Sequence, residues 1–204
     1  MTFVNMEGNK LPIKDGKTGC TYLNPSREPG KPADPYTPRL TKTKDFTIGL
    51  MSNLFVDASA FLEDLKTPLS AAEQDVSFRF YDKGKRLNAA FPAPRSLIDK
   101  IASECDAVIL AYGHCGSCTA GTVRDGVALA RVGLPVVVLV TTKFRDEALF
   151  IARAGGIPDV PFVFLPHPIA GRDELYHQTV AAAISGDLMI ALRDGCTSDC
   201  SKGL

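Results

Sequence analysis

From Asp45 to Arg193 the chain alternates short apolar runs with amphipathic stretches five times, without a break in the order. Phe46–Ser52, Val76–Tyr81, Ala107–Gly113, Pro135–Thr142 and Val160–Leu165 are the apolar runs, each of strand length. Between and after them, residues 57–66, 94–105, 117–132, 145–154 and 172–193 carry apolar residues at helical spacing. Pro94 falls in the first turn of its helix, where the missing N–H costs nothing, and Gly133 closes the helix before it. Strict alternation means parallel strands joined by helical crossovers. Central runs such as AVILAYG and PVVVLVTT are apolar throughout, as strands covered on both faces must be.

The predicted architecture is a three-layer α/β fold, flavodoxin-like (Rossmann-like), with a five-stranded parallel sheet and helices on both faces. The common order for five such strands is 2-1-3-4-5, and it places a ligand crevice outside the carboxyl ends of strands one and three. The Ser52-Asn53 loop then lies beside the loop 113–118. Three segments are expected: a Pro-rich arm over 1–43, the α/β domain over 44–193 and a Cys-containing tail over 194–204. The arm holds Pro12, Pro25, Pro29, Pro32, Pro35 and Pro38. The residue before each proline is driven towards extended backbone, so no helix crosses it.

Composition narrows the function classes. Lysine plus arginine equal aspartate plus glutamate at 23 each, and tryptophan is absent. No basic field attracts nucleic acid or an anionic membrane, and no stacking platform is present. The apolar run Leu134–Val140 is too short to span a bilayer. Met1–Leu11 lacks the apolar core of a secretory signal, so the expected location is the cytoplasm. Six cysteines (20, 105, 115, 118, 196 and 200) in such a chain point to reactive or metal-binding thiols rather than structural staples.

The third strand runs into Gly113-His114-Cys115-Gly116-Ser117-Cys118-Thr119 at the head of a helix. Helix N-termini offer unpaired N–H groups and partial positive charge, which stabilise a thiolate. C-x-x-C spacing brings the second sulfur within reach of the first, so a mixed disulfide on Cys115 can be resolved by Cys118. Gly113 allows a sharp exit from the strand, and Gly116 a close approach of substrate to backbone. Ser117 and Thr119 are candidates to cap the helix or to hold a substrate carboxylate. His114 is a candidate base, and His167, in Leu-Pro-His-Pro-Ile-Ala-Gly after strand five, opens on the same sheet edge. Asn53, Thr141, Thr142 and Lys143 also close strands on that edge. His177 is read as a surface residue of the last helix and Cys105 as core.

Two other readings of the cysteines stay open. Cys115 and Cys118 could pack inertly, or could join Cys196 and Cys200 in a zinc site. No P-loop and no G-x-G-x-x-G helix opening is present, so no nucleotide cofactor is expected.

Ala107–Thr142, AVILAYGHCGSCTAGTVRDGVALARVGLPVVVLVTT, resembles the family of predicted selenoproteins named for a U-G-S-C motif and their cysteine-containing homologues. The resemblance extends from Leu23–Pro25 through Gly49-Leu50-Met51-Ser52-Asn53 to Pro166–Gly171, so it covers most of the chain. The strand–U-G-x-C-T–helix element is also similar to selenoprotein B of the glycine, sarcosine and betaine reductases, in which a selenolate displaces an amine from an activated carbon. The resemblance implies that Cys115, at the selenocysteine position, is the attacking group and Cys118 the resolving one. Sulfur in place of selenium makes a weaker nucleophile and a poorer leaving group.

The leading expectation is a thiol-dependent enzyme, an oxidoreductase or lyase. Its Cys115 thiolate attacks a small carboxylated substrate, cleaving a carbon–heteroatom bond or reducing an oxidised group. An external thiol reductant of thioredoxin type restores the pair, and assembly into a homo- or hetero-oligomer is expected. A redox carrier or sensor subunit using the same dithiol is one alternative, and a zinc-dependent lyase or hydrolase with Cys ligands is another.

Overall fold

The computed structural model describes residues 33–73, 75–84 and 89–195, all within one compact unit that runs from Lys31 to Leu204. The elements in order are β1 (Phe46–Ser52), α1 (Ala58–Asp64), α2 (Lys66–Ala72), β2 (Val76–Asp82), α3 (Arg95–Glu104) and β3 (Ala107–Gly113). They continue with α4 (Gly116–Arg131), β4 (Val136–Thr141), a 3-10 turn (Thr142–Phe144), α5 (Arg145–Ala154), β5 (Phe162–Leu165) and α6 (Glu174–Asp194). The strands form one five-stranded parallel sheet in the order β2-β1-β3-β4-β5, the flavodoxin-like arrangement that the alternation predicts.

Successive side chains on a strand point to opposite faces, and the core divides accordingly. Ile48, Leu50, Ile109, Val137, Leu139 and Val163 pack on one face beneath α1, α2 and α6. Met51, Val108, Leu110, Val136, Val138 and Val140 pack on the other beneath α3, α4 and α5. β3 and β4 are buried along their whole length, while β2, at the sheet edge, alternates between half-buried and exposed at its start.

One helix departs from the sequence reading. The stretch read as 57–66 ends at Asp64, and a further helix, α2, follows over Lys66–Ala72. Pro68 lies in the first turn of α2, where its missing N–H breaks no hydrogen bond, so proline starts a helix there instead of forbidding one. The described end of the Pro-rich segment crosses the domain in extended form. Tyr36 and Leu40 are buried. The Tyr36 hydroxyl accepts from the Val136 N–H at 2.8 Å, and the Leu40 N–H donates to the Leu192 carbonyl at 2.8 Å. Among the described residues no helix is long and apolar enough to cross a membrane.

Candidate active site

β3 delivers the motif to the carboxyl edge of the sheet, where Cys115 is the N-cap of α4. Cys115 and Cys118 are joined as a disulfide with their Cα atoms 5.2 Å apart. The Cys118 N–H points at the Cys115 sulfur at 3.3 Å, so sulfur takes the capping place that a side-chain oxygen usually fills. The two cysteines differ in access: Cys115 is half-buried and Cys118 is 3% exposed. The exposed Ser117 hydroxyl lies 3.5 Å from the Cys115 sulfur. A reduced sulfur at this position would stand at the positive end of a sixteen-residue helix, in line with at least one backbone donor.

Thr119 does not cap the helix through an N-terminal N–H. Its hydroxyl and its N–H both donate to the Cys115 carbonyl, at 2.8 and 2.9 Å, and it is fully buried. Gly113 is required for close approach to this residue, since a methyl there would sit 2.6 Å from the Thr119 hydroxyl.

Asn53 binds the elements of the site to one another. Its amide donates to the Tyr112 carbonyl at 2.8 Å and to the Thr122 hydroxyl at 2.9 Å, while its oxygen accepts from the Phe55 N–H at 3.0 Å. Thr122 in turn donates to the Cys118 carbonyl at 2.9 Å. With 2% exposure, Asn53 spends its side chain on joining β1, β3 and α4. The sequence reading missed Thr122, which only the helical spacing from Cys118 could have suggested.

Two histidines meet beside the cysteines. The His114 and His167 rings have centroids 4.6 Å apart, and His114 also stacks on Phe55 at 5.3 Å. Thr141, fully buried, holds His167 through a 3.1 Å contact between its hydroxyl and Nδ1. Nε2 of His114 is buried with no hydrogen-bond partner in the structure. Burial, and secondarily the neighbouring His167, push the His114 pKa down, so the neutral imidazole is favoured. His177 lies elsewhere and is not a surface residue: it is 4% exposed, with Nε2 2.9 Å from the Ile169 carbonyl. Lys143 and Thr142 are exposed in the 3-10 turn.

Glu147, in the first turn of α5, escaped the sequence reading. A methyl placed on Gly116 would lie 3.3 and 3.4 Å from its two carboxylate oxygens, so the acid sits against the backbone at the head of α4. Burial raises its pKa.

Among the described residues no group of three or more His, Cys, Asp and Glu side chains is placed to hold a metal ion. Cys20, Cys196 and Cys200 lie outside the described residues. A cavity of about 470 Å³ opens on the other side of the β1–α1 loop, lined by Asp57, Glu63, Asp64, Arg172, Glu174 and His177, and neither cysteine reaches it.

Similar structures include a short-chain flavodoxin associated with a non-canonical PDU bacterial microcompartment, 10% identical, with 72% of this chain and 99% of that chain aligned at a TM-score of 0.41. A diflavin flavoprotein A3 from Nostoc sp. is 11% identical, with 72% and 94% aligned at a TM-score of 0.41. The flavodoxin-like domain of a Synechococcus sp. protein is 12% identical, with 70% and 95% aligned at a TM-score of 0.38. Likeness at such identity concerns the fold, and nothing about flavin passes from it to this chain. No curated protein matches the chain. The match to the UGSC family runs over residues 21–193 and takes in the Cys115–Cys118 turn, Asn53, Thr141 and His167, and on that extent the chain belongs to the UGSC family.

Proposed function

We propose that the chain is a thiol-dependent enzyme in which reduced Cys115 attacks a small carboxylated substrate and Cys118 resolves the adduct. The observation that carries this reading is the asymmetry of the pair at the head of α4. Cys115 is accessible and accepts an N–H, whereas Cys118 is buried but within bonding distance of it. An accessible, stabilised thiolate is what a nucleophile needs, and a sequestered second thiol is what a resolving group needs.

The electrons balance as follows. The Cys115 thiolate bonds to the heteroatom end of the substrate, and the electron pair of the broken bond leaves with the carbon fragment, which takes a proton. Cys118 loses its proton and attacks the Cys115 sulfur, and the heteroatom fragment departs with the second proton. The dithiol has given two electrons to the substrate and become the disulfide, which an external dithiol of thioredoxin type reduces again. Helix N-termini leave their first N–H groups free of intrahelical partners, and Gly116 and Ser117 supply those that a substrate carboxylate would meet.

A redox carrier using the same pair is the second reading, and one observation favours it. The cavity of the domain opens away from the cysteines, and a carrier needs an accessible dithiol more than a deep pocket. Intact-protein mass spectrometry after incubating reduced protein with the small-molecule fraction of a cell extract tests the enzyme reading. Cys118→Ser is expected to accumulate an adduct on Cys115, and Cys115→Ser none. An adduct on neither, with the disulfide exchanging only with thioredoxin, would replace the enzyme reading by the carrier.

A further inference from the structure

The head of α4 carries an acid that the attack-and-resolve scheme has not used. Glu147 comes from the first turn of α5 and presses its carboxylate on the backbone of Gly116, the residue after the nucleophile. Glycine at 116 is what admits it, since a methyl would stand 3.3 Å from Oε2. Among the described residues no hydrogen bond or ion pair holds this carboxylate. It is half-buried, and the burial favours its protonated form. An ionised, unpaired carboxylate here would also face any thiolate or substrate carboxylate drawn to the same helix end, and like charges at short range disfavour each other.

Resting on the function proposed above, we infer that Glu147 is the acid–base partner of the Cys115–Cys118 pair, holding a proton while an anion stands at the head of α4 and exchanging it as that charge is consumed. In the reduced protein Cys115 is the thiolate, Glu147 the carboxylic acid and Cys118 the thiol. When Cys115 attacks, the departing carbon fragment takes the proton of Glu147. The carboxylate then accepts the proton of Cys118, whose burial separates it from bulk water, and Cys118 closes the disulfide. The heteroatom fragment leaves with that proton. Two protons and two electrons reach the substrate, and Glu147 ends as the carboxylate that reduction of the disulfide reprotonates. Proton transfer of this kind is effective when the acid is close and its affinity is matched to neutral pH.

The other ionisable groups around this point are His114 from the β3–α4 turn, His167 after β5, Lys143 in the 3-10 turn, and Arg145 and Asp146 beside Glu147 on α5. Arg145 is occupied over the ring of Phe164 at 4.9 Å.

The test is the pH dependence of iodoacetamide alkylation at Cys115 in the reduced protein, followed by peptide mass spectrometry for wild type, Glu147→Gln, Glu147→Asp and the control Asp146→Asn. Glu147→Gln keeps the shape and removes the charge. It is expected to lower the Cys115 midpoint by about half to one pH unit, the scale of a unit charge acting across about 8 Å of partly solvated protein. Glu147→Asp should keep part of the wild-type profile, and Asp146→Asn all of it. A merely structural Glu147 would change the melting temperature without moving the midpoint. An identical profile in wild type and Glu147→Gln overturns the inference. The function proposed above fails separately, if Cys115 of the wild type titrates like a free cysteine at about 8.5. A midpoint that is ordinary in wild type yet falls in Glu147→Gln would keep the coupling and remove the activated nucleophile.

Discussion

His114 and His167 lie ring against ring with their centroids 4.6 Å apart, one leaving β3 and the other leaving β5. The strand between them, β4, ends in Thr141, whose hydroxyl holds His167 at Nδ1. Phe55 and Phe144 extend the stack on either side, at 5.3 Å from His114 and 5.9 Å from His167. The two imidazoles therefore sit in an aromatic row beside the nucleophile, and a proton on one disfavours a proton on the other.

That arrangement fixes the sign of a pH effect on stability. Burial first, and His167 second, lower the His114 pKa in the folded state. Below the ordinary histidine value of about 6.5 the unfolded chain binds a proton that the folded chain refuses, so stability falls as pH falls. Urea unfolding between pH 7.5 and pH 5 is expected to show a falling midpoint. His114→Phe, which keeps the stack and cannot titrate, should flatten the slope. An unchanged slope in that variant would place the pH dependence elsewhere.

Asn53 gives a prediction that separates scaffold from substrate contact. Its amide and oxygen hold the Tyr112 carbonyl, the Thr122 hydroxyl and the Phe55 N–H. Asn53→Ala leaves buried partners unpaired, at about 1–3 kcal/mol for each group that water cannot reach. The expected loss is about 2–4 kcal/mol of unfolding free energy, read from denaturant curves of both the oxidised and the reduced protein. A variant of wild-type stability that fails only in substrate capture would return Asn53 to the binding residues.

The strands and the position of the cysteine turn were legible because periodicity and turn chemistry are local properties. β1 and β3 begin and end where their apolar runs do, and β4 and β5 differ from theirs by one or two residues at an end. α2 was hidden by Pro68, whose effect depends on whether it falls inside a helix or in its first turn. Cys115 as its own helix cap was hidden because sulfur is an unusual acceptor there, so the role was assigned to Ser117 and Thr119. His177 read as surface because its partner, the Ile169 carbonyl, is supplied by the loop after β5. Glu147 has no motif around it. Only the adjacency of β3 and β4 brings the first turn of α5 to the head of α4, and that adjacency is a property of the sheet.

Gly121 tests how tightly the segment before α3 lies on α4. A methyl at Gly121 would overlap the carbonyl of Ala89. Alanine is the better helix former by about 1 kcal/mol, but crowding a packed contact costs about 1–3 kcal/mol, so the clash should win. Gly121→Ala is expected to destabilise by about 1–2 kcal/mol and to speed hydrogen exchange in the segment 89–94. A stabilised variant would mean that the segment moves aside without cost.

The same segment is held by a buried ion pair, which yields the strongest stability prediction. Lys83, just after β2, meets Asp125 on α4 at 2.5 Å, with side-chain exposures of 0% and 2%. The lysine also donates to the Phe91 carbonyl at 2.7 Å, and Asp125 accepts from the Ala93 N–H at 2.7 Å. Breaking such a pair from one side strands a charge without water, which costs about 3–5 kcal/mol, whereas removing both charges costs less. Lys83→Met and Asp125→Leu are each expected to lose that much. The double variant should lose clearly less than their sum, although the Phe91 carbonyl and Ala93 N–H remain unpaired in it. The pH dependence supplies an independent check. Burial raises the Asp125 pKa even against the attraction of Lys83, and removing the lysine leaves burial unopposed. Above the unfolded aspartate value the folded Lys83→Met protein then holds a proton that the unfolded chain has released, so its stability falls as pH rises. Its deficit relative to wild type should therefore be smaller at pH 5 than at pH 8 in urea unfolding. A deficit that is the same at both, with additive single losses, would show that the two side chains do not act as a pair.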